Sequence, residues 1–176
     1  MTTTTDSVAH VAPDTVQLDR DVLRRAFAHV PTGLVTIAAL ADGAPVGLLS
    51  STFTSVSLAP ALVSVNIGVE STTLPALREQ SHWGISVLAD DQEPVTTSFR
   101  RHSAERFDDV AWTADPTGAV HLDGAAATFT TALRELIPAG DHVIALLEVH
   151  DHTTDPDAAP LVFHHSRLRF LEGAVR

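Results

Sequence analysis

Apolar residues recur at helical spacing near the start of the chain and at strand spacing through most of the rest. Over residues 18–30, Leu18, Val22, Ala26 and Val30 share a stripe with Leu23 and Phe27, while Asp19, Arg20, Arg24 and Arg25 lie mostly opposite. That spacing predicts an amphipathic helix, stopped by Pro31-Thr32-Gly33. Residues 34–40 (LVTIAAL) and 46–53 (VGLLSSTF) read as strands flanking Asp42-Gly43, a pair that tolerates positive φ and closes hairpins. A third strand, 61–67 (ALVSVNI), follows Pro60, and Ser71 is placed to cap a short helix over 72–80 with Pro75 in its first turns. Residues 83–88 (WGISVL) form the next strand, and Asp90 or Asp91 is placed to cap a second short helix with Pro94 early in it. The polar stretch 101–120 predicts a long irregular connection. Three further strands, 125–136, 142–154 and 161–170, are separated by Pro138-Ala139-Gly140 and Asp155-Pro156-Asp157. Six or seven strands with three short helices describe a mainly β, antiparallel barrel and not alternating βαβ units.

Composition narrows the chemistry. The 176 residues, 44% of them hydrophobic, suit one domain, here residues 18–172 between a Thr-rich tail at 1–17 and a short tail at 173–176. The first seventeen residues carry neither a basic n-region nor an apolar h-region, so a cytoplasmic protein is expected. No apolar run approaches the roughly 18 residues of a membrane span. A net charge of −11 repels a phosphodiester backbone, which argues against nucleic acid as a partner. There is no Cys, no Tyr and no Lys. Thiolate, Schiff-base and P-loop Lys chemistry are therefore excluded, and redox work must come from a bound cofactor. Neither GxGxxG nor GxxxxGK[ST] occurs, so a nicotinamide cofactor would have to bind over another cofactor on a barrel surface.

Several segments carry candidate chemistry. Residues 50–57 hold six hydroxyls (Ser50, Ser51, Thr52, Thr54, Ser55, Ser57) inside otherwise apolar strand sequence. Such a segment can donate to a phosphate and offer main-chain groups to a flat heterocycle; a solvent-facing strand is the plainer alternative. Ser71-Thr72-Thr73 stands where a helix begins, either as an ordinary cap or as an anion site. Arg100-Arg101 and Arg106-Phe107 are candidate nucleotide partners, or else surface ion pairs with Glu105, Asp108 and Asp109. His142 follows Gly140-Asp141 at a strand mouth and can titrate near neutrality. His150 and His152 share a strand face, but the adjacent His164 and His165 point oppositely and no Glu motif completes a set, so no metal site is expected.

Taken in order, FAHVPTGLVTIAA (27–39), GLLSSTFTSVSLAPALVSVNI (47–67), STT (71–73), ISVLADDQEPVTTSF (85–99), RF (106–107), DGAAATF (123–129), AGDHVIALLEV (139–149) and PLVFHHSRL (160–168) resemble the short-chain flavin reductase family. Its members have the FMN-binding split-barrel fold and are the reductase components of two-component flavin-dependent monooxygenases. The resemblance implies an NAD(P)H:flavin oxidoreductase that reduces FAD or FMN with NADH, or alternatively NADPH, and supplies reduced flavin to a partner monooxygenase. It implies that Ser50, Ser51, Thr52 and Phe53, with Ser57 nearby, line the isoalloxazine and ribityl chain, and that Ser71 and Thr73 approach the flavin phosphate. Arg106 and Phe107 would close over the flavin, and His142 would sit where the nicotinamide stacks, orienting it. The family forms homodimers with flavin at the subunit interface. Leu49 stands where a Thr is usual and Ala61 where the second Pro of a Pro-Pro is usual. Three rivals remain: a split-barrel oxidase or monooxygenase, a flavin carrier without reductase activity, and a metal enzyme at His150 and His152.

Overall fold

A computed structural model describes residues 17–171 of the chain. The tails expected at 1–17 and 173–176 fall outside the described residues, Gln17 excepted. Helix α1 (Arg20–Phe27) starts where Asp19 Oδ1 accepts from the amides of Asp21 and Val22 at 2.8 and 3.0 Å. It is shorter than the periodic stretch 18–30 because its last turn tightens, His29 N–H reaching Ala26 O and Val30 N–H reaching Phe27 O before Pro31. Its apolar stripe is not buried in the chain: Leu18, Val22, Phe27 and Val30 are 54–68% exposed.

The strands that follow are β1 (Thr32–Gly33), β2 (Val35–Ala41), β3 (Ala44–Ser50), β4 (Thr54–Leu58) and β5 (Ala61–Gly68). After helix α2 (Leu74–Arg78) come β6 (Trp83–Val87), helix α3 (Glu93–Ser98), β7 (Trp112–Ala114) and β8 (Val120–Leu122). The chain ends with the long pair β9 (Ala127–Ala139) and β10 (His142–Thr154), then β11 (Val162–His164) and β12 (Arg167–Arg169). Asp42 and Gly43, at φ 51° and 80°, make the β2–β3 turn in the left-handed geometry a two-residue hairpin needs.

One seven-stranded sheet runs β3-β2-β6-β9-β10-β5-β4, with every neighbouring pair antiparallel. β3 and β4 are consecutive in the chain yet occupy opposite rims of this sheet, so residues 51–53 must cross from one rim to the other. The sheet rolls to allow it. Thr52 Oγ1 accepts from the β5 amide of Asn66 at 2.8 Å and donates to the Asn66 carbonyl at 3.2 Å, closing an antiparallel split barrel.

Inside the barrel lie Val35, Ile37, Val65, Ile67, Ile85 and Leu147 with fully buried Trp83, whose Nε1–H donates to Leu77 O at 2.7 Å and ties α2 to the wall. A second core, with Leu88, Phe99, Phe107, Val120 and Leu161, fills the space outside β2 under α3 and the 99–112 segment. Gly47 is where that outer core touches the barrel. A Cβ there would sit 2.8 Å from Ile37 O and 2.9 Å from Phe107 Cζ.

Several local expectations are corrected. Residues 101–120 are only partly irregular: β7 and β8 form a hairpin whose turn is clipped by Asp115 Oδ1, which accepts from the amides of Thr117 and Ala119. Stretch 161–170 is two strands, because His165 and Ser166 turn the chain at φ 51° and 57°. Pro138 and Ala139 continue β9, and the turn is made by Gly140 and Asp141. Neither Asp90 nor Asp91 caps the helix after β6; Gln92 Oε1 accepts from Ala89 N–H instead. The described residues hold twelve strands, more than the six or seven expected, because pieces of two or three residues carry no readable period.

Candidate functional site

The seam between β3 and β5 generates the site. Ser50 Oγ and Thr52 Oγ1 lie 2.7 Å apart, and Ser50 Oγ also accepts from Thr52 N–H at 3.2 Å. With Thr52 donating to Asn66 O, its two lone pairs are met by Asn66 N–H and by the Ser50 hydroxyl. The hydroxyls of Ser50 and Thr52 therefore shape the crossing segment, and Ser51 is presented outward. Ser51 borders three adjoining clefts. One, about 320 Å³, runs over Leu48, Thr52, Asn66 and Gly68 to Ser71 and His142. Another, about 210 Å³, is walled by Leu34, Leu49, Phe163 and Leu168 with Thr96 and Arg100 at its mouth. Together they form a trough with an apolar wall and a hydroxyl-rich rim, on the scale of sites that hold a flat drug-sized ring.

His142 opens β10 at the end of this trough, its Nε2 about 4.0 Å from where a Cβ on Gly68 would be. Its Nδ1 is 2.7 Å from Asp141 Oδ1, and Asp141 Oδ2 accepts from Arg20 of α1 at 3.1 Å. The bond from His142 is the main reason the Asp141 carboxyl is held below its ordinary range, with Arg20 adding to it. A carboxylate on Nδ1 selects the tautomer that leaves Nε2 free to accept from the cleft. A larger cleft, about 630 Å³, lies on the other side of His142 beneath α1 and shares Thr52, Asn66 and His142 with the first.

The remaining expected residues divide. Ser71 borders the trough while its Oγ accepts from the amides of Thr73 and Leu74 at 3.3 Å; it braces the turn leading into α2, but the cap position itself falls at Thr73, two residues later than the sequence suggests. Thr73 is buried beside it, held by Arg106 Nη1 at 3.0 Å. Arg106 is anchored from the outer core by a 2.7 Å bond to Gly47 O, and burial lowers its pKa from the usual arginine value. Phe107 does not line the trough; it is packed edge to face on Phe99 and Trp112 in the outer core. Phe53 turns its ring inward onto Phe129, leaving only its main chain toward the seam. Ser57 sits on the rim strand β4 opposite Leu62, apart from the trough. Leu49 borders the trough at two of its clefts, whereas Ala61 begins β5. Arg101 pairs with Asp109 at 2.7 Å.

Asn66, Asp141 and Arg20 were not singled out from the sequence. A lone Asn in the apolar run VSVNI is the signal for the first; Arg20 carries none, because in the sequence it lies mostly opposite the apolar stripe of its helix. His150 packs against His82 at 5.3 Å, and no group of three or more His, Cys, Asp or Glu among the described residues could hold a metal ion.

A family model described as "Flavin reductase like domain" matches residues 27–172. The chain is 33% identical over 158 residues to the actinorhodin polyketide dimerase of Streptomyces coelicolor, covering 89% of each. It is 34% identical over 133 residues to the reductase component of the flavin-dependent trigonelline monooxygenase of Acinetobacter baylyi, covering 75% of this chain and 43% of that protein. Among solved structures, the NADH:FAD oxidoreductase of Streptomyces globisporus C-1027, in complex with NAD and FAD fragments, superposes with a TM-score of 0.84 at 33% identity, covering 90% of this chain and 96% of that one.

Proposed function

The chain belongs to the flavin reductase-like family, and from that premise we propose that it is an NAD(P)H-dependent flavin oxidoreductase whose reduced FAD or FMN is consumed by a partner flavin-dependent monooxygenase. The observation that carries this is the sharing of Thr52, Asn66 and His142 by two adjoining clefts, one hydroxyl-rimmed and one beneath α1. Two planar reactants can then meet at one histidine. The flavin, when bound, supplies the two-electron chemistry that a chain without Cys, Tyr or Lys lacks.

The residues fit that group. Ser51 and the main chain of 51–53 would face the ring edge, Ser50 and Thr52 hold those amides in place, and Leu49 and Leu34 exclude water from one face. Ser71 would approach the flavin phosphate, and Thr73 and Arg106 brace the loop that carries it. His142, steadied by Asp141, would orient the nicotinamide through Nε2 and need not exchange a proton with it. Phe53, Phe107 and Ser57 would contribute through packing or from a second chain.

A homodimer is part of the proposal. Leu18, Val22, Phe27 and Val30 on α1 and nearby segments, and Val56 and Leu58 on β4, are apolar residues left exposed among the described residues. No helix among the described residues is long and apolar enough to cross a membrane, and we place the enzyme in the cytoplasm, where reduced pyridine nucleotide is available.

The test is oxidation of NADH at 340 nm by the purified protein with and without FMN or FAD. Consumption that requires flavin and saturates with it is expected; flavin binding without NADH consumption would make the protein a carrier. Similarity to the actinorhodin polyketide dimerase favours one second reading, a split-barrel flavoprotein acting on its own organic substrate. Flavin that stays bound through gel filtration and cannot be passed to a second protein would favour that reading.

A further inference from the structure

We propose that the 630 Å³ cleft beneath α1 seats the phosphate half of the reducing dinucleotide, with Arg20 and Arg24 as its phosphate-binding side chains. The proposal rests on the reductase reading above. It starts from charge. In a chain of net charge −11, the lining of this cleft carries two guanidinium groups and one carboxylate, Asp141.

Arg20 and Arg24 are four residues apart on α1 and so project on one face, as do Leu23 and Phe27, and all four border the cleft. The face therefore offers a cationic pair beside an apolar pair, which suits a diphosphate with a flat base attached.

The placement relative to His142 matches the ligand. Arg20 Nη2 lies 3.1 Å from Asp141 Oδ2, and Asp141 Oδ1 lies 2.7 Å from His142 Nδ1, so a single carboxylate separates the guanidinium from the imidazole. In a pyridine dinucleotide a single ribose separates the nicotinamide from the first phosphate. A nicotinamide at His142 thus leaves its diphosphate beside α1.

Asp141 does not bar an anion, because its two oxygens are already engaged by Arg20 and His142. The ion pairs now made by the arginines, Arg20 with Asp141 and Arg24 with Asp21 at 3.3 Å, are exposed and weak. Each guanidinium keeps donors free for a phosphate. Of the other candidate arginines, Arg106 is committed to Gly47 O and Thr73, Arg101 is paired with Asp109, and Arg100 borders the 210 Å³ cleft and not this one.

The experiment compares two reductants on the full chain with FMN and with FAD: NADH, and 1-benzyl-1,4-dihydronicotinamide, which has the same reacting ring and no phosphate. Arg24→Ala is the primary variant, since Arg24 does not touch Asp141; Arg20→Ala and the double substitution follow, with Arg24→Lys as the charge-keeping control. Each lost charge-assisted contact is expected to raise KM for NADH by roughly 10-fold. The loss should be confined to the phosphate-bearing reductant, be partly restored by Arg24→Lys, and shrink relative to wild type as salt is raised. An unchanged KM for NADH overturns the proposal. So does an equal loss with both reductants, which would mean the arginines act through His142 or the fold. A rise in KM for FAD but not FMN, with NADH unaffected, would assign the arginines to the flavin's outer phosphate and also overturn it. Wild-type protein that oxidises neither reductant with flavin would instead refute the reductase reading itself.

Discussion

Replacing Thr52 by Val removes one hydroxyl while keeping the branched shape, and it tests whether the seam at 51–53 is a structural knot on which flavin affinity depends. That hydroxyl takes part in three hydrogen bonds, accepting from the Ser50 hydroxyl at 2.7 Å and from Asn66 N–H at 2.8 Å and donating to Asn66 O at 3.2 Å. At about 0.5–1.5 kcal/mol net for each bond, and with water able to reach part of the seam, the loss is about 1–3 kcal/mol. For a domain of this size that corresponds to a drop in Tm of roughly 3–10 °C. The same energy must then be supplied by flavin to close the loop, so each 1.4 kcal/mol appears as about a tenfold rise in its KM. Thermal unfolding followed by circular dichroism reads the first quantity, and NADH oxidation at varied flavin reads the second. Ser50→Ala, which spares both Asn66 bonds, should cost less, and the double variant should cost less than the sum because the two hydroxyls share one network. A Tm within about 1 °C of wild type together with an unchanged flavin KM would refute the reasoning.

Three further outcomes follow from the same structure. His142→Ala should chiefly raise KM for NADH; an unchanged KM with a collapsed kcat, measured at saturating flavin, would give the imidazole a chemical role instead. Gly47→Ala drives a methyl against Ile37 O and the Phe107 ring, and should lower stability by about 1–3 kcal/mol in denaturant titration, with Arg106 displaced from Thr73 and flavin KM raised. Stability should also fall with pH in two stages. Burial lowers the His121 pKa, so the unfolded chain binds the extra proton first and stability declines as pH drops below about 6.5, with exposed His165 shifted in the same direction. Burial pushes Asp115 up, but hydrogen bonds from Thr117, Thr130 and the Ala119 amide outweigh it, so its contribution is present above about pH 4 and lost only below that. His121→Gln should flatten the upper stage in a series of melting curves from pH 7.5 to 5, and an unaltered slope would assign it elsewhere.

Much of the architecture was legible where a periodic run met a strong turn. Asp42-Gly43, Pro75, Pro94 and the alternation through β5, β6 and β10 act locally, and the structure follows them. What could not be read depends on distant partners. VGLLSSTF looks like one strand because its composition does not change at Ser51; the break is imposed by the need to cross to the other rim of the sheet. The apolar stripe of α1 is exposed among the described residues, because periodicity reports amphipathicity and not where the partner lies. Ser50, Ser51, Thr52, Ser71 and His142 border adjoining clefts, whereas Ser57 lies on the rim strand apart from them. Arg106 and Phe107 differ because Gly47, the residue they pack on, is an unremarkable position in the sequence and a contact only in three dimensions.

The placement of the crossing segment ties ligand residence to the mechanics of the barrel. β3 and β4 stand on opposite rims, and three residues span the gap between them. Any widening or narrowing of that gap is felt first at Ser51, the residue the clefts share. With a ring bound as proposed, breathing of the rims and release of that ring would lie along one coordinate. A protein that must hand over its product needs that coordinate to stay soft, and a relative that keeps its prosthetic group could arise by stitching the rims more firmly, with every contact to the ring left as it is.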